Sequence, residues 1–333
     1  MFKNLIIYRT APAWPIGLQQ LEAALAQAPF MSCSATQERA WGWVPARGEA
    51  HGPLAEAVNG QWILRFMTET KLLPASVLAR KVQEKAIQIE QTTGRKPGKR
   101  ETRDLKEEAK LDLLPQAFTR QGHIHLWIDP QAGFVLLDCA SQSRADEVMT
   151  ALVQAVPGLS LWLLDTQTAP ATAMAQWLCS QEPPPGFSID RECELKSSAE
   201  DKAVVRYARH PLDIDEIRAH IEAGKLPTRL ALSWADRLSF VLTEGLQLKK
   251  LAWLDAALAE AAAQEAGFDA DWALTTGELS AFLPELIAAL DGESERSSTN
   301  MSAPPAAAPR TRHELVTGPS TPPIDTAPED TPF

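Results

Sequence analysis

The apolar positions of this chain switch repeatedly between a two-residue and a helical period. Phe2 to Arg9 is a short apolar run rich in β-formers and predicts a strand. From Pro15 to Ala28, Leu18, Leu21, Ala24 and Leu25 recur at helical spacing. "WGWVPA" reads as a turn-bounded aromatic piece in which Trp41 and Trp43 flank a glycine, and Gln61 to Leu73 reads as a strand. Pro74 then opens a helix, as proline does at a first helical position. Val77, Leu78, Val82, Ala86 and Ile89 form its one narrow apolar stripe. Gly94 and the Pro97-Gly98 pair end it, and a second helix is expected from Thr102 to Leu113, stopped by Pro115. The two form a charged helical hairpin that projects from the core.

After Phe118 the period returns to two. "HIHLWI", a turn at Asp129 to Gly133, and "FVLLD" predict a β-hairpin. A helix follows from Ser143, its N-cap, to Val156, then a buried strand "LSLWLLD" and a helix from Ala169 to Cys179. "QEPPPG" breaks the chain. Beyond it lie strands "ECELKS" and "AVVRYARH", a helix from Asp213 to Ala223 capped by Asp213 with Gly224 just past its end, and a three-strand meander "LPTRLALSW", "RLSFVLTE", "LQLKKLAW". Ala257 to Leu290 reads as two helices broken near Gly267. With eight prolines in the last 33 residues, the segment beyond Gly292 reads as a disordered tail. The fold class is α+β, with two antiparallel-sheet lobes and flanking helices. Residues 1–73 and 119–180 form a central domain, 74–118 a helical tip, 181–291 a base domain and 292–333 the tail.

Charge changes this picture. The chain carries a formal −11, yet Met1 to Leu251 holds 29 basic and 29 acidic residues. The excess acid lies in Ala252 to Asp291, with eight acids and no Lys or Arg, and in the tail. The body is neutral and its positive charge is local. "GRKPGKRETR" gathers Arg95, Lys96, Lys99, Arg100 and Arg103 against the single acid Glu101. Lys81 and Lys85 share a face of the preceding helix, and Lys106 and Lys110 one of the next. Arg206 and Arg209 form a second cluster, Lys249-Lys250 a third. Lys and Arg at this density suit phosphate contacts, which give affinity without reading sequence.

Other chemistries are less well supported. "GRKPGKR" lacks the spacing and the Ser or Thr of a phosphate loop, and follows a helix where that motif follows a strand. His123 and His125 alternate along one strand face without further zinc ligands at a known spacing. Glu194-Leu195-Lys196 is an E-x-K with Asp190 upstream, the pattern of a metal-dependent nuclease, but four residues leave no room for the second strand that such a site uses. No G-x-S-x-G is present. The four cysteines, at 33, 139, 179 and 193, read as buried free thiols of a reducing compartment. No apolar run is long enough to span a bilayer, and the apolar run after Lys3 is too short for a signal peptide, so a cytoplasmic protein is expected. Most of the ten tryptophans read as core.

Six stretches occur in a telling order: "FKNLIIYR", "WGWVP", "LLPQAFTR", "WID…LLDCAS", "HIEAGKLPTRLALSW" and "FDADWALTTGEL". They resemble the RdgC family of bacterial recombination-associated proteins, over about Met1 to Leu290. The resemblance implies a horseshoe-like monomer that closes, tip to tip and base to base, into a ring homodimer. It implies non-specific binding of duplex DNA through a basic central hole, nucleoid association, restraint of the RecA recombinase, and neither cofactor nor catalytic activity. Arg95, Lys96, Lys99 and Arg100 match the family's basic tip. Arg206 and Arg209, in "VVRYARH", match its DNA-facing base strand. Phe118 matches an aromatic of the tip-to-tip contact. A nuclease using Glu194 and Lys196, and a scaffold acting directly on RecA, are the alternatives.

Overall fold

A computed structural model describes residues 2–11, 14–197, 202–254, 257 and 267–294. Strands β1 (Ile6–Thr10), β2 (Arg39–Val44), β3 (Ala55–Val58), β4 (Gln61–Leu72), β5 (Phe118–Asp129), β6 (Phe134–Leu137) and β7 (Leu161–Leu163) form a seven-stranded sheet. Its order is β2-β4-β5-β6-β1-β7, with β3 also on β4, and every pairing is antiparallel. A second antiparallel sheet has the order β12-β11-β10-β8-β9, from β8 (Phe187–Ser197), β9 (Val204–Ala208), β10 (Lys225–Trp234), β11 (Leu238–Thr243) and β12 (Leu248–Trp253). The described α-helices are α1 (Leu18–Leu25), α2 (Ala75–Thr93), α3 (Lys99–Leu113), α4 (Gln142–Ala155), α5 (Pro170–Ser180), α6 (Asp215–Glu222) and α7 (Phe268–Ala289).

Alternation along the strands divides the apolar side chains between two cores. Ile6, Tyr8, Phe66, Ile124 and Leu126 face one way and pack with Leu21 and Leu25 of α1 and Val148, Met149 and Leu152 of α4. Ile7, Ile63, Trp127 and Leu136 face the other way. They share a second core with Met174 and Trp177 of α5, Leu230, Leu232 and Phe240 of the five-stranded sheet, and Phe282 and Leu286 of α7. That buries both faces of the larger sheet and one face of the smaller. The indole N–H of Trp234 donates to Glu285 at 2.6 Å, fixing α7 to β10. The sheets are also stitched by paired backbone bonds between Leu5 and Leu248, at 2.8 and 3.0 Å.

Several local readings are corrected. "WGWV" is strand β2 rather than a turn. Gly42 is needed there for close backbone approach, since a Cβ would lie 2.5 Å from Phe30 Cα. The chain at Ala28–Phe30 bonds directly to Trp43 beside it. β3 was not expected from the hydrophobic pattern. It joins β4 through Asn59-Gly60, both left-handed at φ 51° and 81°, the signature of a tight hairpin turn. β5 starts at Phe118 rather than His123, because its first half pairs with β4 from Leu72 onward. "LSLWLLD" yields a three-residue edge strand, not a buried one, and Leu163 is exposed. Pro74, Ser141 and Ile214 are the N-caps where the sequence suggested Pro74 inside the helix, Ser143 and Asp213. Only two of the free cysteines, Cys139 and Cys193, are buried. The earlier of the two expected C-terminal helices and the tail lie outside the described residues, apart from Ala257 and the segment to Ser294.

Candidate nucleic-acid interface

The basic stretch sits where α2 turns into α3. Gly94 adopts the left-handed conformation, φ 72°, and its N–H donates to Glu90 O at 2.9 Å, which closes α2. The connection then runs only to Gly98, because α3 begins at Lys99, three residues earlier than the sequence suggested. Lys99, Arg100 and Arg103 therefore lie on the first turns of a helix rather than in a loop. Cations there oppose the helix dipole. Glu101 offsets this by accepting the Gly98 N–H at 2.8 Å, one half of a capping box. The same carboxylate receives both guanidinium nitrogens of Arg95, at 2.6 and 2.8 Å. The Arg95 fork first, and the Gly98 N–H second, hold the Glu101 carboxyl down to about 2.

The hairpin is almost bare of core. α2 has no buried residue, and α3 buries only Leu105 and Ala109. Ion pairs do part of the work instead: Lys85 bridges Glu108 and Asp112 of α3, each at 2.7 Å. The hairpin's foot is tied by Lys71, a buried residue of β4 whose ammonium donates to the carbonyls of Ser34, Ala35 and Leu114 at 2.7, 2.7 and 3.0 Å. Lys110 adds a pair with Glu38 at 2.5 Å.

These pairings sort the sequence candidates. Lys85 and Arg95 are committed to carboxylates, and Lys81 lies 3.6 Å from Glu84. Lys96, Lys99, Arg100 and Arg103 are exposed and have no ion pair among the described residues. They surround the N-terminus of α3, whose free N–H groups also favour an anion. Phe118 opens β5 opposite Leu72, at the foot of the hairpin, and is 85% exposed.

The base cluster is arranged differently. Arg206 lies on β9 and donates to Glu194 of β8 at 2.6 Å. Arg209 falls beyond the strand, at φ 56°, and is exposed without an ion pair among the described residues. Lys250 pairs with Glu192 at 2.6 Å. Arg229, not singled out from sequence, stands directly opposite Glu194 on β10. Its signal was the strand period, which puts Arg229 on the face opposite the buried Leu230. His123 and His125 stack edge to face at 5.1 Å, and burial, then His123 and Arg65, pushes His125 down to about 4.

A family model described as "Putative exonuclease, RdgC" matches residues 1–293. The chain belongs to the RdgC family. It is 44% identical over 299 residues to a recombination-associated protein RdgC of Dechloromonas aromatica, covering 88% of this chain and 98% of that one. The RdgC protein of a Janthinobacterium strain is also 44% identical, over 89% of this chain and 99% of its own. That of Herminiimonas arsenicoxydans is 44% identical over 296 residues, 88% and 98% respectively. These relatives carry no enzyme name. In this RdgC-family chain the nuclease candidates are otherwise engaged. Asp190 accepts Ser233 Oγ at 2.8 and 3.0 Å, and Glu194 is held by Arg206 and by Thr228 Oγ1 at 2.8 Å. Their partners Thr228 and Ser233 stand five positions apart on β10, which holds the two carboxylates too far from each other to share a metal ion. No cluster of three His, Cys, Asp or Glu suited to a metal occurs among the described residues. No helix among them is long and apolar enough to cross a membrane.

Proposed function

We propose that this protein binds duplex DNA without sequence preference and without cleaving it, acts in recombination, and does so as a homodimeric ring that restrains RecA by occupying its DNA. The observation that carries the reading is the group of four exposed cations at the N-terminus of α3 that have no ion pair among the described residues. Such a group neutralises backbone phosphates and reads no base edge. The recombination role rests on the names of the relatives. The dimer rests on Phe118, an aromatic ring left 85% exposed at the foot of the same hairpin, where a second copy of the hairpin would cover it. Within this reading the base contributes Arg209 and Arg206, the latter only after release from Glu194.

Electrophoretic retention of a labelled duplex, with Mg²⁺ present, tests the proposal. Two unrelated sequences should be retained alike and uncut, and replacing Lys96, Lys99, Arg100 and Arg103 by Ala should weaken both equally. Retention unchanged by that replacement at near-physiological salt would remove the tip from the interface.

A further inference from the structure

The free face of the five-stranded sheet carries a polar hollow of about 400 Å³, lined among others by Glu194, Lys196, Thr228, Arg229, Thr243 and Lys249. The strand register explains its composition. Thr243, Arg229, Glu194 and Arg206 are successive partners across β11, β10, β8 and β9. Lys196 follows Glu194 by two residues on the same face. Arg229 and Arg206 thus flank Glu194, with their backbones roughly 10 Å apart.

We propose that this hollow is a subsite for a backbone phosphate of duplex DNA, and that Glu194 holds the phosphate's place until DNA arrives. The inference rests on the duplex-binding reading. Three observations carry it. The Glu194 side chain is only 13% exposed, and it accepts from the Thr228 hydroxyl and the Arg206 guanidinium, the donors a phosphate oxygen uses. Lys196, Arg229 and Lys249 have no ion pair among the described residues, and these three cations outnumber the two carboxylates that line the hollow, Glu194 and Glu244. Arg206 is 72% exposed, free to turn outward from Glu194 toward an arriving phosphate. Burial alone would raise the Glu194 carboxyl, but Thr228, Arg206 and the Arg229 charge bring it below the usual range, so it stays ionised and repels the ligand it imitates. Glu194 is then a brake on affinity.

The test uses the full chain, a fluorescent duplex and a series of KCl concentrations. Glu194→Gln keeps the Thr228 bond and removes the competing charge. It should bind the duplex roughly five- to tenfold tighter and steepen the log–log salt slope by about 0.9, the value of one added phosphate contact. R229A/K249A should flatten the slope and abolish the gain from Glu194→Gln when combined with it. Unchanged or weaker binding by a Glu194→Gln protein that melts like the parent overturns the proposal. If that variant melts lower, an R229A/K249A slope equal to the parent's overturns it instead. Inorganic phosphate at constant ionic strength is the second arm: if millimolar phosphate raises the melting temperature of Glu194→Gln while that variant gains no duplex affinity, the hollow is a free-anion site and not a duplex subsite. A parent that binds with its full tip-dependent slope yet ignores Glu194 refutes this inference alone. A parent that binds no duplex refutes the function itself.

Discussion

Salt dependence separates the paired from the unpaired cations of the hairpin. Consider replacing Lys96, Lys99, Arg100 and Arg103 by Ala, against replacing Lys85 by Met. The four are exposed and unpaired among the described residues, so each can release one counterion equivalent on meeting a phosphate. At about 0.9 per contact, the quadruple variant should lose up to about 3.6 from the log–log slope per chain. Between about 50 and 200 mM KCl the parent would then lose roughly 150-fold more affinity than the variant. Lys85 is different. Its ammonium already faces Glu108 and Asp112, whose hydrogen bonds, Asp112's foremost, raise its pKa, and only 17% of its side chain is exposed. Lys85→Met should leave the slope where it was and lower the melting temperature, because two carboxylates of α3 lose their counter-charge. Anisotropy titrations at five salt concentrations, with circular dichroism melts alongside, measure both quantities. A Lys85→Met slope change as large as that of any single tip cation would refute the sorting by ion pairing.

If the proposed dimer closes through Phe118, the parent should sediment as a dimer and Phe118→Asp as a monomer with an unchanged circular dichroism spectrum; a monomeric parent, or equal sedimentation coefficients, would contradict that contact. Lys71→Met should destabilise the protein by at least about 2 kcal/mol in urea, since it strands the carbonyls of Ser34, Ala35 and Leu114, which the ammonium now gathers. His125 titrates at about 4 in the fold and near 6.5 when unfolded. The unfolded chain therefore binds the proton more readily. The stability His125 contributes is complete above about pH 6.5 and is lost as pH falls toward 4, up to about 3 kcal/mol in all. His125→Gln should flatten the parent's decline in urea stability across that window, and an identical decline in the two proteins would contradict the assignment.

The strands were legible because their side-chain period is two and their inward positions are apolar, as in Ile7 and Leu136 against Ile6 and Leu137. The meander β10-β11-β12 and the α2–α3 hairpin followed from the same patterns. What the pattern missed has physical causes. Gly42 between two tryptophans reads as a chain breaker, yet it serves close packing against Phe30, a contact made by residues twelve positions away. Asn59-Gly60 did carry a hairpin signal, but β3 beside it has only four residues, with Val58 its one large apolar side chain. In the candidate site, the density of positive charge was visible and its availability was not. Whether Lys85 is free depends on which acids α3 brings opposite it, and whether Arg206 is free depends on the β8–β9 register. Both are tertiary facts. The α3 boundary moved for a local reason: Glu101 caps Gly98, which allows a helix to start on two cations.

The central claim is a basic, non-cleaving, sequence-blind duplex interface. Its most direct test is one titration of the parent protein onto two unrelated duplexes of equal length with Mg²⁺, across salt, followed by denaturing electrophoresis of the same samples. Equal affinities, a steep negative salt slope and intact strands are the predicted result. Shortened strands, a preference between the duplexes, or binding indifferent to salt would contradict it.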